Sequence, residues 1–103
     1  MLELNEVDFF ENTSEGLVLV DFYTPWCGPC KAIAPFLETL QNVKVAKVNV
    51  DDNTDLAAEF KVSHIPCLVF LKDGVEVERM VGLVSPSVLQ EKVNALNGPI
   101  SEA

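Results

Sequence analysis

The stretch "LVLVDFYTPWCGPCKAIAPFL", residues 17–37, decides most of the fold. Its first part, Leu17 to Tyr23, is a continuous apolar run interrupted only by Asp21. Such a run suits a strand buried on both faces, as in a parallel or mixed sheet. From Gly28 to about Leu40 the pattern turns helical, with Ile33, Phe36, Leu37 and Leu40 on one side. Pro29 is tolerated near the helix start, where no intrahelical N–H bond is lost. Pro35 lies inside the pattern and should kink it. Where strand meets helix stand two cysteines, Cys27 and Cys30, separated by Gly28 and Pro29.

Working outward, "NEVDFFENTSEG" (5–16) reads as a short helix whose apolar side is Val7 and Phe10, with Phe9, and which ends at Gly16. "VKVAKVNV" (43–50) alternates apolar and polar residues and reads as a strand. "DDNTDLAAEFKV" (51–62) follows as a helix with Asn53 or Thr54 at its N-cap. "CLVFLKDGVEVERMV" (67–81) is a hairpin turning at Asp73-Gly74. Ser85 caps a last helix with Pro86 at its first position and Val88, Leu89, Val93 and Leu96 on its apolar face, closed by Gly98-Pro99. A short first strand fits Leu2 to Leu4. The strand–helix–strand opening implies a right-handed parallel crossover, and the hairpin adds antiparallel strands. Together they predict a small three-layer α/β/α sandwich with a central mixed sheet flanked by helices.

The chain has 103 residues, enough for one domain over 1–103 and too few for two. Seven Lys and Arg against sixteen Asp and Glu give a net charge of −9. A nucleic-acid or anionic-membrane binder needs the opposite balance to displace counterions from phosphates, so neither is expected as a partner. No run reaches the roughly 18 apolar residues of a membrane span. The N-terminus "MLELNEVDFF" has no basic segment before an apolar one, so a cytoplasmic location is expected. Three cysteines are an odd number, which argues against a closed extracellular disulfide framework.

Reactive groups in open α/β sheets are displayed at the carboxyl ends of strands, where Cys27 and Cys30 fall. A helix N-terminus presents unpaired N–H groups and a partial positive charge, which favour a thiolate. Cys27, at the helix entrance beside Trp26, is expected to be the more exposed and more nucleophilic sulfur, with Cys30 one turn in and shielded. This arrangement suits thiol–disulfide exchange. Cys27 would attack a target disulfide and Cys30 would resolve the mixed disulfide.

Asp21 is the second element of the chemistry. A carboxylate in a buried strand is costly unless paired or protonated, and burial should raise its pKa toward that of a useful proton acceptor. It could then take the Cys30 proton, directly or through a water. Its plainer alternative is a side chain pointing to solvent at the strand end. Lys47, on the strand expected beside Asp21, could pair with it and pull that pKa back down, or be an ordinary solvated lysine. Ile65-Pro66 precedes a strand at a place where proline cannot join a central ladder, and the isomer of its bond is open.

The residues "VDF" (20–22), "WCGPCK" (26–31), Pro35, "KVNVDDN" (47–53), Ile65-Pro66, Phe70 to Gly74 and Gly82 together resemble the thioredoxin family over nearly the whole chain. The resemblance implies the thioredoxin fold and a protein-disulfide reductase that binds no cofactor itself. Electrons would come from NADPH through a thioredoxin reductase, and the partners would be that reductase and disulfide-containing target proteins, met by a monomer. It further implies Cys27 as nucleophile and Cys30 as resolving cysteine of a redox-active disulfide. Asp21 would be the buried acid/base residue, tuned by Lys47. Trp26, Gly28, Pro29, Ile65, a cis Pro66 and Gly82 would line the groove for target protein. Tyr23 stands where many bacterial relatives have a second Trp, and Cys67 where the family usually has Thr.

Cys67 reads either as a buried small residue or as a third reactive sulfur near the pair. Two other function classes fit parts of the pattern. Cys27, Cys30, His64 and Cys67 have the types and spacing of a Zn²⁺ or iron–sulfur module, although Gly28-Pro29 and Trp26 suit a peptide groove better than a closed tetrahedral site. The same fold can also serve as a non-catalytic interaction subunit.

Overall fold

Every side chain from Leu17 to Phe22 is buried, a pattern that a strand shows only when both its faces are covered. The structure, a computed structural model, describes residues 1–98. In chain order its elements are β1 (Leu2–Glu3), α1 (Phe9–Thr13), β2 (Leu17–Tyr23), α2 (Gly28–Leu37), β3 (Lys44–Asn49), α3 (Thr54–Glu59), β4 (Cys67–Lys72), β5 (Val75–Val81) and α4 (Pro86–Leu96). The five strands lie in the order β1-β3-β2-β4-β5. β3 is parallel to both β1 and β2, while β4 is antiparallel to β2 and to β5. The sheet is therefore mixed, as expected, with β2 at its centre.

Alternation along the strands divides the core in two. Val18, Val20 and Phe22 of β2, with Cys67, Val69 and Leu71 of β4, pack against Phe9 of α1 and Leu56 of α3. Leu17, Leu19, Leu68 and Phe70 face the other way, onto Ile33 and Leu37 of α2 and Leu89 and Val93 of α4. Asp21 falls on this second face, two residues after Leu19.

The helices depart from the expected apolar faces at particular residues. Phe9, fully buried, anchors α1, whereas Val7 is 92% and Phe10 56% exposed. The segment before Phe9 is not helical, so a helical phase drawn from Val7 selects the wrong side. α2 continues through Pro35 and stops at Leu37 rather than Leu40. Pro35 has no N–H for the Lys31 carbonyl, and the last turn is left with weaker support. Phe36 consequently lies half exposed, as does Val88 on α4. Ser85 caps α4 as expected, its hydroxyl accepting from Val88 N at 3.3 Å, with Pro86 in the first turn. Gly98 closes the described chain with φ +81°, and Pro99 lies outside the described residues.

Asp73 and Gly74 both take positive φ, as a two-residue hairpin turn with the right twist requires. The Asp73 carboxylate also accepts from Gly16 N at 2.8 Å, and Asp73 N donates to Gly16 O at 2.9 Å, tying the hairpin tip to the start of β2.

The start of α3 is capped from far away in sequence. Asn53 occupies the N-cap, but its side chain is engaged elsewhere: it accepts from Glu6 N at 3.1 Å and donates to Asn49 O at 2.9 Å. The Glu6 carboxylate instead receives Asp55 N at 2.8 Å and Leu56 N at 3.2 Å. A carboxylate there satisfies orphan N–H groups and complements the helix dipole. Replacing Glu6→Ala should lower stability by about 1–2 kcal/mol in urea unfolding, with Glu6→Gln recovering part of the loss. An unchanged midpoint in the alanine variant would show that the cap contributes nothing.

Candidate active site

β2 ends at Tyr23, and Thr24, Pro25 and Trp26 carry the chain across the top of the sheet into α2. Cys27 takes an extended backbone (φ −83°, ψ 117°) and is the N-cap of α2. Its N–H donates to Thr24 O at 3.3 Å, and its Sγ accepts from Cys30 N at 3.3 Å. A sulfur thus occupies the place usually taken by a serine or aspartate oxygen, on an amide that the helix leaves unpaired. Pro29, in the first turn, removes no helical bond.

Both sulfurs are free and both lie beneath the surface. Cys27 is 7% exposed and Cys30 3%, so the expected contrast in exposure is small. Their hydrogen bonding separates them instead. Cys30 has its thiol pushed up to about 12, first by burial and then by hydrogen bonding to the Cys27 side chain, offset in part by the Thr24 backbone. Cys30 is the proton-holding partner.

Asp21 is buried, not pointed to solvent. It is 2% exposed, and its Oδ1 has no hydrogen-bond partner among the described residues. Burial raises its pKa from 3.8 to about 7, with the Lys47 charge acting in the opposite direction. Asp21, Cys30, Thr24, Lys31 and Lys47 line one pocket of about 160 Å³, roomy enough to admit water between carboxyl and thiol. Lys47 lies directly beside Asp21 in the β2–β3 register, yet its ammonium pairs with Glu3 Oε1 at 3.9 Å rather than with Asp21. Its influence on Asp21 acts through space.

On the open side, Trp26 is 71% exposed, and its indole Nε1 donates to Asp51 Oδ2 at 3.0 Å. Trp26 and Ile65 line a second cleft of about 310 Å³, with Val50, Asp51 and Val62 among its other walls. The Ile65–Pro66 bond is cis. Gly82, at φ +89°, donates its N–H to Pro66 O at 2.8 Å, joining the end of β5 to the residue before β4. Gly28 and Pro29 are exposed at the helix entrance. Thr24 lines both clefts and Asp51 the second, and neither stands out from sequence. Asp51 lay inside the "KVNVDDN" segment, but nothing in a linear pattern pairs a loop carboxylate with an indole 25 residues away.

The metal-type array does not assemble. Among the described residues, no three His, Cys, Asp or Glu side chains converge as ligands. Cys67 turns into the apolar layer with α1 and α3, across the sheet from α2, and is 1% exposed. Its thiol is raised by burial, against a lowering by Arg79. His64 bonds locally to Ser63 Oγ at 3.0 Å.

A helix-capping sulfur, a buried thiol one turn behind it and a neutral-range carboxyl at the same pocket define the site of a thiol–disulfide oxidoreductase. The thioredoxin family model matches residues 1–95. Thioredoxin of Bacillus subtilis (strain 168) is 46% identical over 99 residues, covering 91% of this chain and 95% of that protein. Thioredoxin of Chlamydia caviae is 47% identical over 83 residues, covering 77% and 81%. A solved mutant thioredoxin from Halobacterium salinarum NRC-1 superposes with a TM-score of 0.90 at 32% identity, covering 97% of this chain and 93% of that one. The chain belongs to the thioredoxin family.

The raised Asp21 carboxyl has a consequence for stability. At pH below 3.8 both folded and unfolded chains hold the proton and nothing is lost. As pH rises toward about 7 the unfolded chain ionises first, so stability falls, and above that the full cost remains. The displacement corresponds to roughly 4 kcal/mol. Asp21→Asn should therefore be more stable than the parent at pH 8 by about 2–4 kcal/mol in urea unfolding, with the gain vanishing near pH 4. A gain that did not depend on pH would mean that burial of the charge is not its cause.

Proposed function

We propose that this thiol–disulfide oxidoreductase works as a general protein-disulfide reductase with Cys27 as nucleophile and Cys30 as resolving thiol. The observation that carries the reading is the bond from Cys30 N to Cys27 Sγ. That N–H holds the Cys27 sulfur at the helix entrance, one turn ahead of Cys30, which is the placement a disulfide-attacking sulfur needs. In the first step Cys27 thiolate attacks one sulfur of a target disulfide. A mixed disulfide forms, the target S–S bond breaks, and one target thiol leaves. In the second step Cys30 gives its proton to Asp21, directly or through water in the pocket they share, and attacks the Cys27 sulfur. The second target thiol is released and a Cys27–Cys30 disulfide remains, so two electrons pass from the dithiol to the target.

Asp21 serves as acid/base because a carboxyl raised to about 7 can accept a proton near neutrality and return it when the dithiol is regenerated. Lys47 tunes it. Trp26, Gly28, Pro29, Ile65, cis Pro66 and Gly82 form the surface on which an extended target segment lies, with the backbone of Ile65 pairing to it as an added strand. The reduced form is restored by a thioredoxin reductase drawing on NADPH, and the chain itself binds no cofactor. It acts as a monomeric single domain over 1–103 in the cytoplasm. Gly28-Pro29 between the cysteines supports the reducing direction through the family resemblance. Among the described residues no helix is long and apolar enough to cross a membrane.

The test is reduction of insulin disulfides by the dithiol-charged protein. Cys27→Ser should lose turnover and form no adduct. Cys30→Ser should also lose turnover but accumulate mixed disulfides through Cys27, which mass spectrometry would locate. Retained turnover in Cys30→Ser would overturn the two-step scheme.

A further inference from the structure

Two carboxyl groups, an ammonium and a phenol stand together at one end of the sheet, and the scheme above gives a role to only one carboxyl. The register places Glu3 of β1 beside Lys47 of β3, and Lys47 beside Asp21 of β2, so Lys47 lies between two acids. It favours one of them. Its Nζ is 3.9 Å from Glu3 Oε1 and 5.2 Å from the centre of the Tyr23 ring. The Tyr23 hydroxyl donates to the other Glu3 oxygen, Oε2. Among the described residues Asp21 has no ion-pair partner.

The physical reason lies in solvation. Glu3 is about half exposed, with a side-chain accessibility of 51%, so it can carry charge at little desolvation cost. Asp21 has almost no contact with water, and a charge there is expensive even with a partner. Tyr23 adds a fixed hydroxyl and a ring face on the Glu3 side, both favourable to that arrangement. The other groups facing Asp21 do not supply a second cation in contact with it. Cys30 and Lys31 of α2 line its pocket, Lys31 with its side chain exposed, and its β4 neighbour in the register is Leu68.

We propose that Glu3 is a positioning residue for disulfide exchange: held by the Tyr23 hydroxyl, it keeps the Lys47 ammonium toward the β1 edge and leaves Asp21 without a direct cation partner. The proposal rests on the acid/base role of Asp21. Releasing Lys47 would let its charge swing toward Asp21, stabilise the carboxylate and move proton acceptance to lower pH. Tyr23 supplies both the hydroxyl and the ring, so it matters for charge placement as well as packing.

The experiment is a ¹³C-carboxyl titration of Asp21 in the reduced protein, in parent, Glu3→Gln, Lys47→Met and the double variant. Glutamine still accepts from the Tyr23 hydroxyl, so the β1 contact survives. Glu3→Gln should lower the Asp21 midpoint by about half a pH unit or more. Lys47→Met should raise it. In the Lys47→Met background, Glu3→Gln should change it by less than about 0.2 of a unit, the signature of action through the lysine. Tyr23→Phe, a second route to the same release, should lower the midpoint in the same direction. An absent shift in Glu3→Gln, or an equal shift in both backgrounds, would overturn the proposal; the latter would mean that Glu3 acts on Asp21 directly. The pH profile of release from a Cys27-linked peptide disulfide is read in parallel and should move with the titration. A profile that stays fixed while the carboxyl moves would uphold the placement of Lys47 by Glu3 and count against the Asp21 proton-transfer role.

Discussion

β2 has neither a free edge nor a free face. β3 and β4 take its backbone hydrogen bonds, and two apolar layers take its side chains. Almost everything at the site follows from that enclosure. Asp21 cannot reach bulk water, so its proton affinity rises into the neutral range without any special partner. The strand ends at its exposed carboxyl tip, and the next element begins there with the Cys30 amide directed at the Cys27 sulfur. The Asp21 carboxyl and the Cys30 thiol are thereby brought to one pocket, with Cys27 at the helix entrance, by a single strand–loop–helix unit.

That economy explains why so much was legible from residues 17–37. The apolar run announced a doubly covered strand, its one acid announced a perturbed group, and the proline after Gly28 marked the helix start. The adjacency of β2 and β3 followed from the strand–helix–strand order, and the observed register then sets Lys47 directly beside Asp21. Failures gathered where local pattern and tertiary contact disagree. Val7 looked like a helix face but precedes the helical turn, and Phe9 does the packing. Phe36 has the right spacing along α2 but sits in a last turn that leaves it half exposed.

At the site, the direct contact of Lys47 is the feature that local pattern does not reveal, although its lowering influence on Asp21 is present. Adjacent positions on neighbouring strands suggested a Lys47–Asp21 pair, whereas the ammonium is drawn to Glu3 on a two-residue edge strand. No periodicity marks Glu3, since β1 is too short to have one. Glu6 is similar. Its capping of α3 depends on a loop meeting a helix start 49 residues later. For Cys67 the plainer of its two readings, a buried small residue, is the one the structure bears out. Its place after Pro66 suggested nearness to the pair, but strand alternation sends the side chain through to the other core layer, so its thiol is part of the packing around Phe22 and Val69.

The indole of Trp26 has a further consequence. Although largely bare to solvent, it is moored by Asp51, so the cleft wall exists before any partner arrives. A docking polypeptide meets a shelf already in position, and little side-chain freedom has to be surrendered to build it. The remaining walls, chiefly valine, isoleucine and threonine, offer few directional contacts. Such a surface would discriminate by shape and by access to the sulfur more than by side-chain identity, in keeping with the proposed general reductase.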